Sequence, residues 1–569
     1  MNKQEKRKKI SIGVEDFKEL IDKDGYFVDK TLMIEKLIES NAMVTLFTRP
    51  RRFGKTLNQF MIRRFFEDER TEKGAKVDNG YLFDGLKIAE CGEEILSHRQ
   101  QYPVIFLTLK SAKQPTYEMA YACLVDEICK EFERHSYVLQ GEMSQRNREI
   151  FERISLGKGS DDEYATAFAF LSECLFKYHK KKTIILIDEY DVPLENAYFR
   201  GFYDEMIDFI RSLFESALKT NPYLEKSVIT GCLRISKESI FTGLNNLKVD
   251  SVLRTEYGDS FGFTESEVEE MLAYYNLQKE LPEVKRWYDG YLFNDIEIYN
   301  PWSIINYVYD RDHKITQFAL PYWSNTSSNS IIREMVGEAD QEAKADLETL
   351  INGGTIEKPV HEDITYGDIH QSQDNLWNFL FFTGYLKKMS ERKDESGESL
   401  YLSMAIPNTE IKTIYKNSIS YWFEQRIKET DRSPLVRALE TGDCEAAEDF
   451  INRQLADTIS YYDYAENFYH GFMLGILTNI GGYRVKSNRE SGNGRPDIVM
   501  TESKFRGRAM ILELKVSETI SGMEKKCEEG LAQIEKGNYT QPLSDDGYQP
   551  ILKYAICFFK KGCMVKKAE

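Results

Sequence analysis

The sequence predicts an α/β protein, in which a parallel β-sheet covered by helices precedes a mostly helical region and a second, smaller α/β domain. Three observations favour this fold class. Unalternating apolar runs, typical of strands buried on both faces, are separated by amphipathic helical stretches in residues 1–258. Helical patterns dominate residues 259–460, and short apolar runs return in residues 461–569. We expect these three ranges to be three domains.

The strands of the first sheet are predicted from apolar runs that lie between helical stretches, an order that favours parallel pairing. These runs are residues 43–47, 103–107, 183–187 and 227–230. The last domain is predicted to open with a helix at 464–478. Its strands are expected at 483–485, 497–500, 509–514 and 553–559, with a helical stretch at 530–536 before the last of them.

The middle region carries helix signals and one hairpin signal. Thr264 and Glu267 have the spacing of a capping box at a helix start. One continuous helix is predicted at 433–458. A helix at 374–385 precedes two short strands on either side of the polar turn 391–398, which is a winged-helix-like pattern.

Composition excludes several classes of protein. Of 569 residues, 41% are hydrophobic and 30% are charged, so the chain can build packed cores. No run approaches the roughly 18 uncharged apolar residues of a membrane span, and the basic start lacks the apolar segment of a secretory signal. The nine cysteines form no CxxC pair and are expected to be reduced thiols. We expect a cytoplasmic protein that does not bind membranes.

The charge is distributed unevenly along the chain. The net charge is -18, which excludes a uniformly basic nucleic-acid coat. Residues 461–569 carry 16 basic and 14 acidic side chains, whereas residues 1–460 carry 59 and 79. This contrast favours a different partner for the C-terminal domain, although the excess of two basic residues is not a basic patch.

The first functional motif is a strand that runs through a short loop into Gly54-Lys55-Thr56 and a helix. This is the context of a P-loop. Gly54 allows the backbone to approach a phosphate, and Lys55, expected to face solvent in the empty loop, reaches the β- and γ-phosphates. The Thr56 hydroxyl is predicted to hold Mg²⁺. The sequence therefore predicts ATP as a cofactor.

The loop departs from the general motif, because Arg49 stands where that motif has its first glycine. Arg49, Arg51 and Arg52 are expected to add three cations beside Lys55. Arg52 and Phe53 are included in the predicted nucleotide-binding loop. A basic helix start without a nucleotide is the alternative interpretation.

A second motif supports the first. An apolar strand ends in Asp188-Glu189, the Walker B pattern, in which Asp188 binds Mg²⁺ through water and Glu189 polarises the attacking water. Asp191 is interpreted as capping the following turn. Thr230, at the end of the next strand, is a candidate γ-phosphate sensor, and Arg234 is a candidate for contacting phosphate charge; a strand-end hydroxyl and a surface cation are the alternatives.

The C-terminal motif is Pro496-Asp497 followed by Glu513-Leu514-Lys515. Alternation along a strand places Glu513 and Lys515 on one face, and an adjacent strand would bring Asp497 to Glu513. Two such carboxylates repel unless a divalent cation lies between them, so a Mg²⁺ site is predicted, with Lys515 orienting water or neutralising phosphate. This is the PD-(D/E)xK nuclease pattern. A solvated charged hairpin is the alternative.

The nuclease pattern implies further site residues. Glu466 lies on the preceding helix, where such nucleases often add a metal ligand, and His470 follows one turn later. Gln533 and Tyr539 form a QxxxxxY arrangement seen in some of these nucleases. His470 is interpreted as a packing residue more readily than as a ligand.

The two motif sets, in this order, resemble a prokaryotic family that joins an AAA-ATPase-like domain to a C-terminal PD-(D/E)xK nuclease-superfamily domain. The matching segments are residues 26–31, 49–56, 188–191, 241–246, 287–291, 299–303, 494–497 and 513–515. The family's usual loop is Arg-Pro-Arg-Arg-Phe-Gly-Lys, so Arg49 departs from the general P-loop and not from these relatives. The resemblance implies a cytoplasmic bacterial ATPase with a candidate nuclease domain.

We expect a protein that binds and hydrolyses ATP and controls a metal-dependent nuclease acting on nucleic acid, with DNA favoured as the partner. A homo-oligomer is left open. The alternative is a nucleotide-dependent switch or scaffold, whose C-terminal domain binds DNA or a protein without cleavage. The intact Asp497, Glu513 and Lys515 favour the enzyme, whereas the acidic balance favours a protein partner.

Overall fold

The computed structural model describes residues 7–234, 240–241, 245–254, 256–325, 332, 340–362, 372–456, 466–478, 480–487, 496–504 and 506–569. The chain forms two compact units. The first comprises Met1–Ser327 with Thr355–Thr413, and the second Ser328–Gly354 with Ile414–Glu569. The three-domain division at residues 258 and 460 stays a prediction. Across the described ranges, no helix combines the length and apolar character needed to cross a bilayer.

The chain contains the following strands within these residues: β1 (Val44–Thr48), β2 (Val104–Thr108), β3 (Thr183–Asp188), β4 (Leu224–Gly231), β5 (Leu247–Asp250), β6 (Phe263–Thr264), β7 (Tyr291–Phe293), β8 (Ile296–Tyr299), β9 (Ile356–Val360), β10 (Lys387–Lys393), β11 (Leu400–Ala405), β12 (Tyr483–Ser487), β13 (Ile498–Glu502), β14 (Ala509–Val516), β15 (Ile551–Phe559) and β16 (Gly562–Lys567).

The helices are α1 (Phe17–Asp22), α2 (Leu32–Glu39), α3 (Lys55–Phe66), α4 (Glu93–Leu96), α5 (Tyr117–Arg134), α6 (Gln145–Ser155), α7 (Asp161–Ala165), α8 (Ala167–His179), α9 (Val192–Arg200), α10 (Tyr203–Phe214), α11 (Glu265–Tyr274), α12 (Leu281–Tyr288), α13 (Pro301–Asp312), α14 (Gln341–Ile351), α15 (Gln373–Phe382), α16 (Thr409–Glu429), α17 (Ser433–Thr441), α18 (Cys444–Ala456), α19 (Glu466–Leu477), α20 (Met523–Lys536) and α21 (Gln541–Asp545).

The first unit is built on a five-stranded sheet in the order β2-β3-β4-β1-β5. All its pairs are parallel, as predicted. Strands β1 and β3 are buried along their whole length, which is why their sequences are apolar without alternation. Because the strands are parallel, their carboxyl ends meet at one edge of the sheet. The residues that follow β1, β2, β3 and β4 therefore come together there.

The middle region confirms the helix start and divides one predicted helix into two. The Thr264 side chain accepts a hydrogen bond from the Glu267 backbone N–H, and the Glu267 carboxylate accepts one from the Thr264 backbone N–H, so the capping box is present. The single helix predicted at 433–458 is wrong: α17 ends at Thr441, its C-cap residue Gly442 has a left-handed φ of 80°, and α18 begins at Cys444. A residue without Cβ adopts this backbone at no steric cost and so ends the helix.

Two small sheets accompany the helices of this region. Helix α15 precedes the predicted hairpin β10-β11, and β9 adds a third strand to it. The sheet β6-β8-β7 was not predicted, because its strands have only two to four residues each. The winged-helix-like character of the α15 segment stays a prediction.

The second unit contains a mixed sheet in the order β12-β13-β14-β15-β16. Strands β14 and β15 are parallel, and the other neighbours are antiparallel. One face packs on α17, α18 and α19 through a core that includes Met510, Leu512 and Ile556. The opposite face carries α20, against which Ile511 and Cys557 pack. The predicted small α/β domain is confirmed, and β16 is a strand that the prediction missed.

Glu410, in the first turn of α16, is a fully buried carboxylate of the first unit. Its Oε2 accepts a hydrogen bond from Ser303 Oγ at 2.8 Å, and its Oε1 accepts one from the Trp323 backbone N–H at 2.9 Å. Burial nevertheless raises the pKa of Glu410 from 4.5 to about 7. The charged form is therefore less stable in the folded protein than in water.

This raised pKa predicts stability that falls with pH. The folded state binds more protons than the unfolded state between pH 4.5 and about 7. The stabilisation is complete below pH 4.5 and is lost as the pH rises through about 7, by about 3 kcal/mol in total. Glu410→Gln can accept the hydrogen bond from the Trp323 N–H and donate one to Ser303 Oγ, and it does not titrate. Urea unfolding at about pH 5 and about pH 8 should show a larger fall in stability in wild type than in the variant; equal falls would contradict the prediction.

Candidate nucleotide and metal sites

The loop between β1 and α3 has the backbone of a phosphate-binding turn. Gly54 is the N-cap residue of α3 with a left-handed φ of 82°, and the helix begins at Lys55. The first backbone N–H groups of a helix have no partners within it, and they lie at the positive end of its dipole. The structure thus provides the glycine turn and helix start that the sequence predicts.

Arg49 does not face this turn, so the expectation of three cations beside Lys55 is wrong. Its guanidinium is fully buried and forms an ion pair with Asp250 at 2.5 Å. It also donates hydrogen bonds to the carbonyl oxygens of Thr48 and Asp250. Strand β5 lies beside β1 and ends at Asp250, so the long side chain turns beneath the loop to reach it.

The two other arginines of the loop, Arg51 and Arg52, line the same pocket as Lys55. Arg51 is paired with Glu195 of α9. Arg52 has a left-handed φ of 70°, and its guanidinium lies 4.5 Å from the centre of the Trp302 ring. Phe53 instead is fully buried against Tyr291, so its side chain supports the loop from within the core.

Lys55 also differs from the prediction, since only 4% of it is exposed. Its ammonium donates hydrogen bonds to the carbonyl oxygens of Arg49 and Pro50, both at 3.0 Å. The expectation of a solvent-facing lysine is wrong because the loop's own carbonyl groups are its partners. A phosphate would exchange these neutral acceptors for charged ones.

Asp191 connects the ends of two strands rather than capping a helix. Its Oδ2 accepts hydrogen bonds from the backbone N–H groups of Cys232 at 2.7 Å and Leu233 at 3.2 Å. It makes no side-chain capping bond to α9, so the capping interpretation is wrong. Burial raises the pKa of Asp191 to about 6, and the nearby charge of Lys55 acts in the opposite direction.

Asp188 is held by two threonine hydroxyl groups. Thr56 Oγ1 donates to one carboxylate oxygen at 2.8 Å, and Thr230 Oγ1 donates to the other at 2.7 Å. Thr230 is buried beneath the carboxylate, so the geometry supports a role in orienting Asp188 more than contact with a phosphate. Burial and the charge of Glu189 raise the pKa of Asp188.

A pocket of about 380 Å³ opens above these residues. Glu189 lines it with a left-handed φ of 53°, beside Arg52, Gly54, Lys55 and Thr56. The opposite walls were not predicted. They come from the N-terminal segment and the start of α13, and they are residues 11–15, Pro301, Trp302 and Ile305.

Lys110 and Lys113 are two further pocket residues that sequence reasoning missed. The Lys110 ammonium donates to Thr56 Oγ1 at 3.0 Å and lies 3.8 Å from Asp188 Oδ2. Burial lowers the pKa of Lys110, but the charges of Asp188 and Glu189 outweigh it, so the net pKa is raised. The sequence feature that could have identified Lys110 is its position just after β2. This position indicates a pocket residue only once β2 is known to pair with β3.

Thr56 and Asp188 fit a divalent cation. A hydroxyl oxygen and a carboxylate oxygen lie in contact, and these are ligand types that Mg²⁺ prefers. A positively charged group of this chain, the Lys110 ammonium, already lies against both. Arg234 is not among the residues that line the pocket, and its guanidinium lies 3.7 Å from the carboxylate of Glu362.

In the second unit, strand register brings Asp497 and Glu513 together. Ile498 pairs with Leu512 in an antiparallel ladder, so the next position places Asp497 opposite Glu513 with both side chains on one face. Asp497 Oδ2 accepts a hydrogen bond from the Leu514 backbone N–H at 2.8 Å. Lys515 Nζ donates to Glu513 Oε1 at 2.9 Å. The predicted Asp497, Glu513 and Lys515 therefore form one cluster.

Of the three residues in this cluster, Glu513 has the environment that best fits a metal ligand. The residue is 1% exposed, and its Oε2 is buried with no hydrogen-bond partner among the residues described. Burial and the neighbouring charge of Asp497 raise the pKa of Glu513. A buried carboxylate oxygen without a partner is energetically costly, and a bound cation would remove that cost. Asp497 and Glu513 thus fit a divalent metal.

A third metal ligand is not part of the described structure. Helix α19 begins at Glu466, but the side chain of Glu466 lies outside what the structure describes, as do Gly494 and Arg495. Within the described ranges, no three His, Cys, Asp or Glu side chains are placed to share a metal. The role of Glu466 stays a prediction.

The surroundings of the cluster are closely packed. His470 Nε2 lies 3.3 Å from the Asp497 carbonyl oxygen and 3.2 Å from Ser487 Oγ, which supports the packing interpretation. Gln533 donates to the Tyr539 hydroxyl at 3.5 Å. Gly530 of α20 is positioned so that an added Cβ would lie 3.1 Å from Ala555 Cβ, and the helix passes directly over Glu513 and Lys515.

Two family models match this chain, one over each region that carries a candidate site. Residues 11–241 match a family model described as "Predicted AAA-ATPase", and residues 464–568 match one described as "PD-(D/E)XK nuclease superfamily". An "Uncharacterized protein in vnfD 5'region" from Azotobacter chroococcum mcd 1 is 26% identical over 344 residues. That alignment covers 58% of this chain and 57% of the relative, so the chain spans less than two thirds of the relative's length.

Proposed function

We propose that this chain, which joins an AAA-ATPase-like domain to a PD-(D/E)XK nuclease superfamily domain, is a bacterial cytoplasmic nuclease controlled by ATP. Its substrate is nucleic acid, with DNA favoured, and its cofactors are ATP and Mg²⁺. The observation that carries the proposal is the unpartnered Glu513 Oε2, buried beside Asp497 and Lys515.

The nucleotide site supports ATP binding and hydrolysis through its own residues. Lys55 exchanges the carbonyl oxygens of Arg49 and Pro50 for phosphate oxygens. Thr56 and Asp188 hold the metal, which supplies charge neutralisation on the phosphates when bound. Glu189 lines the same pocket and is the residue that takes a proton from the attacking water.

The second site supports phosphodiester hydrolysis. Asp497 and Glu513 hold the divalent cation, which lowers the pKa of bound water when present. The hydrogen bond from Lys515 to Glu513 holds the Lys515 ammonium beside the position proposed for the scissile phosphate. There it neutralises the negative charge that develops on phosphate in the transition state.

The alternative is a nucleotide-dependent switch or scaffold whose C-terminal domain binds DNA or a protein without cleavage. One observation favours it: the net charge of -18 suits a protein partner better than nucleic acid. Cleavage assays separate the two functions directly.

The test is nicking of supercoiled plasmid by the full chain, with and without ATP, in Mg²⁺. We expect cleavage only with metal. Adding ATP should change the cleavage rate of wild type by about tenfold or more, and it should not change the rate of Lys55→Met. Glu513→Ala serves as the inactive control. A matched RNA substrate tests the preference for DNA. Absence of metal-dependent cleavage of either nucleic acid would favour the switch.

A further inference from the structure

Lys110 places a positive charge among three oxygen atoms of the nucleotide site. Its Nζ donates to Glu15 Oε2 at 2.9 Å and to Thr56 Oγ1 at 3.0 Å, and it lies 3.8 Å from Asp188 Oδ2. The sheet dictates this position: Thr108 of β2 pairs with Asp188 of β3, and Lys110 follows two residues later. The oxygens come from the N-terminal segment, α3 and β3.

The ammonium and a metal ion would need the same oxygens. Mg²⁺ binds oxygen at about 2.1 Å in nearly octahedral geometry. A cation on Thr56 Oγ1 and Asp188 Oδ2 would therefore lie within a few ångströms of Lys110 Nζ. Two positive charges at that distance repel strongly in a partly buried site.

We propose that Lys110 is a positioning residue that competes with Mg²⁺ for Thr56 and Asp188, so that the metal binds tightly only together with a nucleotide. The phosphates give the ammonium another partner in the same pocket, which its flexible four-carbon stem can reach. Glu15 holds the ammonium in the competing position. The inference rests on the proposed nucleotide site and is independent of nuclease activity.

The competition is tested by Mn²⁺ titration of the full chain without nucleotide, with free Mn²⁺ measured by electron paramagnetic resonance. Lys110→Met removes the charge and keeps the length, so it should bind Mn²⁺ about tenfold or more tightly than wild type at one site. Adding Asp188→Asn should abolish that gain, which separates this site from Asp497 and Glu513. Lys182→Met, which removes an exposed charge just before β3 and outside this pocket, is the matched control and should bind like wild type.

A second readout concerns the coupling of metal and nucleotide. A non-hydrolysable ATP analogue should raise the Mn²⁺ affinity of both proteins. The rise in wild type should exceed the rise in Lys110→Met by a factor of about five or more. Lys110→Arg keeps the charge and should bind Mn²⁺ as weakly as wild type. Unchanged affinity in Lys110→Met, or equally tight binding by Lys110→Arg, would overturn the proposal. Circular dichroism melting confirms that each variant is folded.

The outcome is separable from that of the proposed function. The first titration requires neither hydrolysis nor cleavage, so a chain without nuclease activity still reports on Lys110. Conversely, a chain that cleaves under ATP control but shows no Asp188-dependent gain in Lys110→Met retains the proposed function and loses this inference.

Discussion

Glu513→Gln is expected to reduce metal-dependent phosphodiester cleavage by more than about 100-fold, since even partners outside the ligand shell contribute up to that factor. The amide oxygen can still accept the hydrogen bond from Lys515. The amide nitrogen, however, places two donors where the buried, unpartnered Oε2 now lies. A donor there repels a cation, so the variant should lose metal binding without losing shape.

The comparison variants distinguish metal binding from chemistry. Asp497→Asn should behave like Glu513→Gln, because it removes the second carboxylate. Lys515→Ala should keep Mn²⁺ affinity and slow cleavage by about 10²–10³-fold, the range for loss of one group that stabilises transition-state charge. Glu518→Gln changes an exposed carboxylate just after β14 and should behave like wild type. Cleavage by Glu513→Gln at the wild-type rate would leave the cluster as a charged hairpin.

Glu189→Gln is expected to bind ATP like wild type and to lose turnover by about 10²–10⁴-fold, the usual contribution of a general base. Glu189 follows Asp188, has a left-handed backbone conformation and lines the pocket. Glutamine keeps the size and the hydrogen-bonding oxygen but cannot accept the proton. Initial rates of phosphate release and binding of a fluorescent ATP analogue measure the two effects separately.

The control for this prediction is Glu225→Gln, which neutralises an exposed carboxylate on β4 of the same sheet. It should leave both binding and turnover unchanged. If Glu189→Gln hydrolysed ATP as fast as wild type, the role of Glu189 would be structural, and another residue of the pocket would have to accept the proton.

The sequence predicts those features that depend on near neighbours in the chain. The apolar runs of β1 and β3, the glycine turn at Gly54 and the pairing of Asp497 with Glu513 each follow from spacing and alternation over short distances. These features are enough to predict an α/β domain at each end of the chain and to locate a candidate site in each.

Features that depend on distant pairing were not predictable. Arg49 looked like a phosphate-binding cation because its partner Asp250 is 201 positions away, on a strand whose place in the sheet was unknown. Lys110 and Glu15 enter the pocket only because β2 lies next to β3 and because the N-terminal segment returns to α3. Pattern alone gives no register between segments so far apart.

The buried ion pair of Arg49 affects how the pocket can respond to different ligands. Arg49, at the start of the loop, is ion-paired with Asp250 of the edge strand β5, so we expect this wall of the pocket to be rigid. The facing wall is attached through side chains, with Glu15 on Lys110 and Trp302 against Arg52. Under the proposed function, we therefore expect the facing wall to discriminate among bases and phosphate lengths, and substitutions that change ligand preference to lie in residues 11–15 and the first turn of α13.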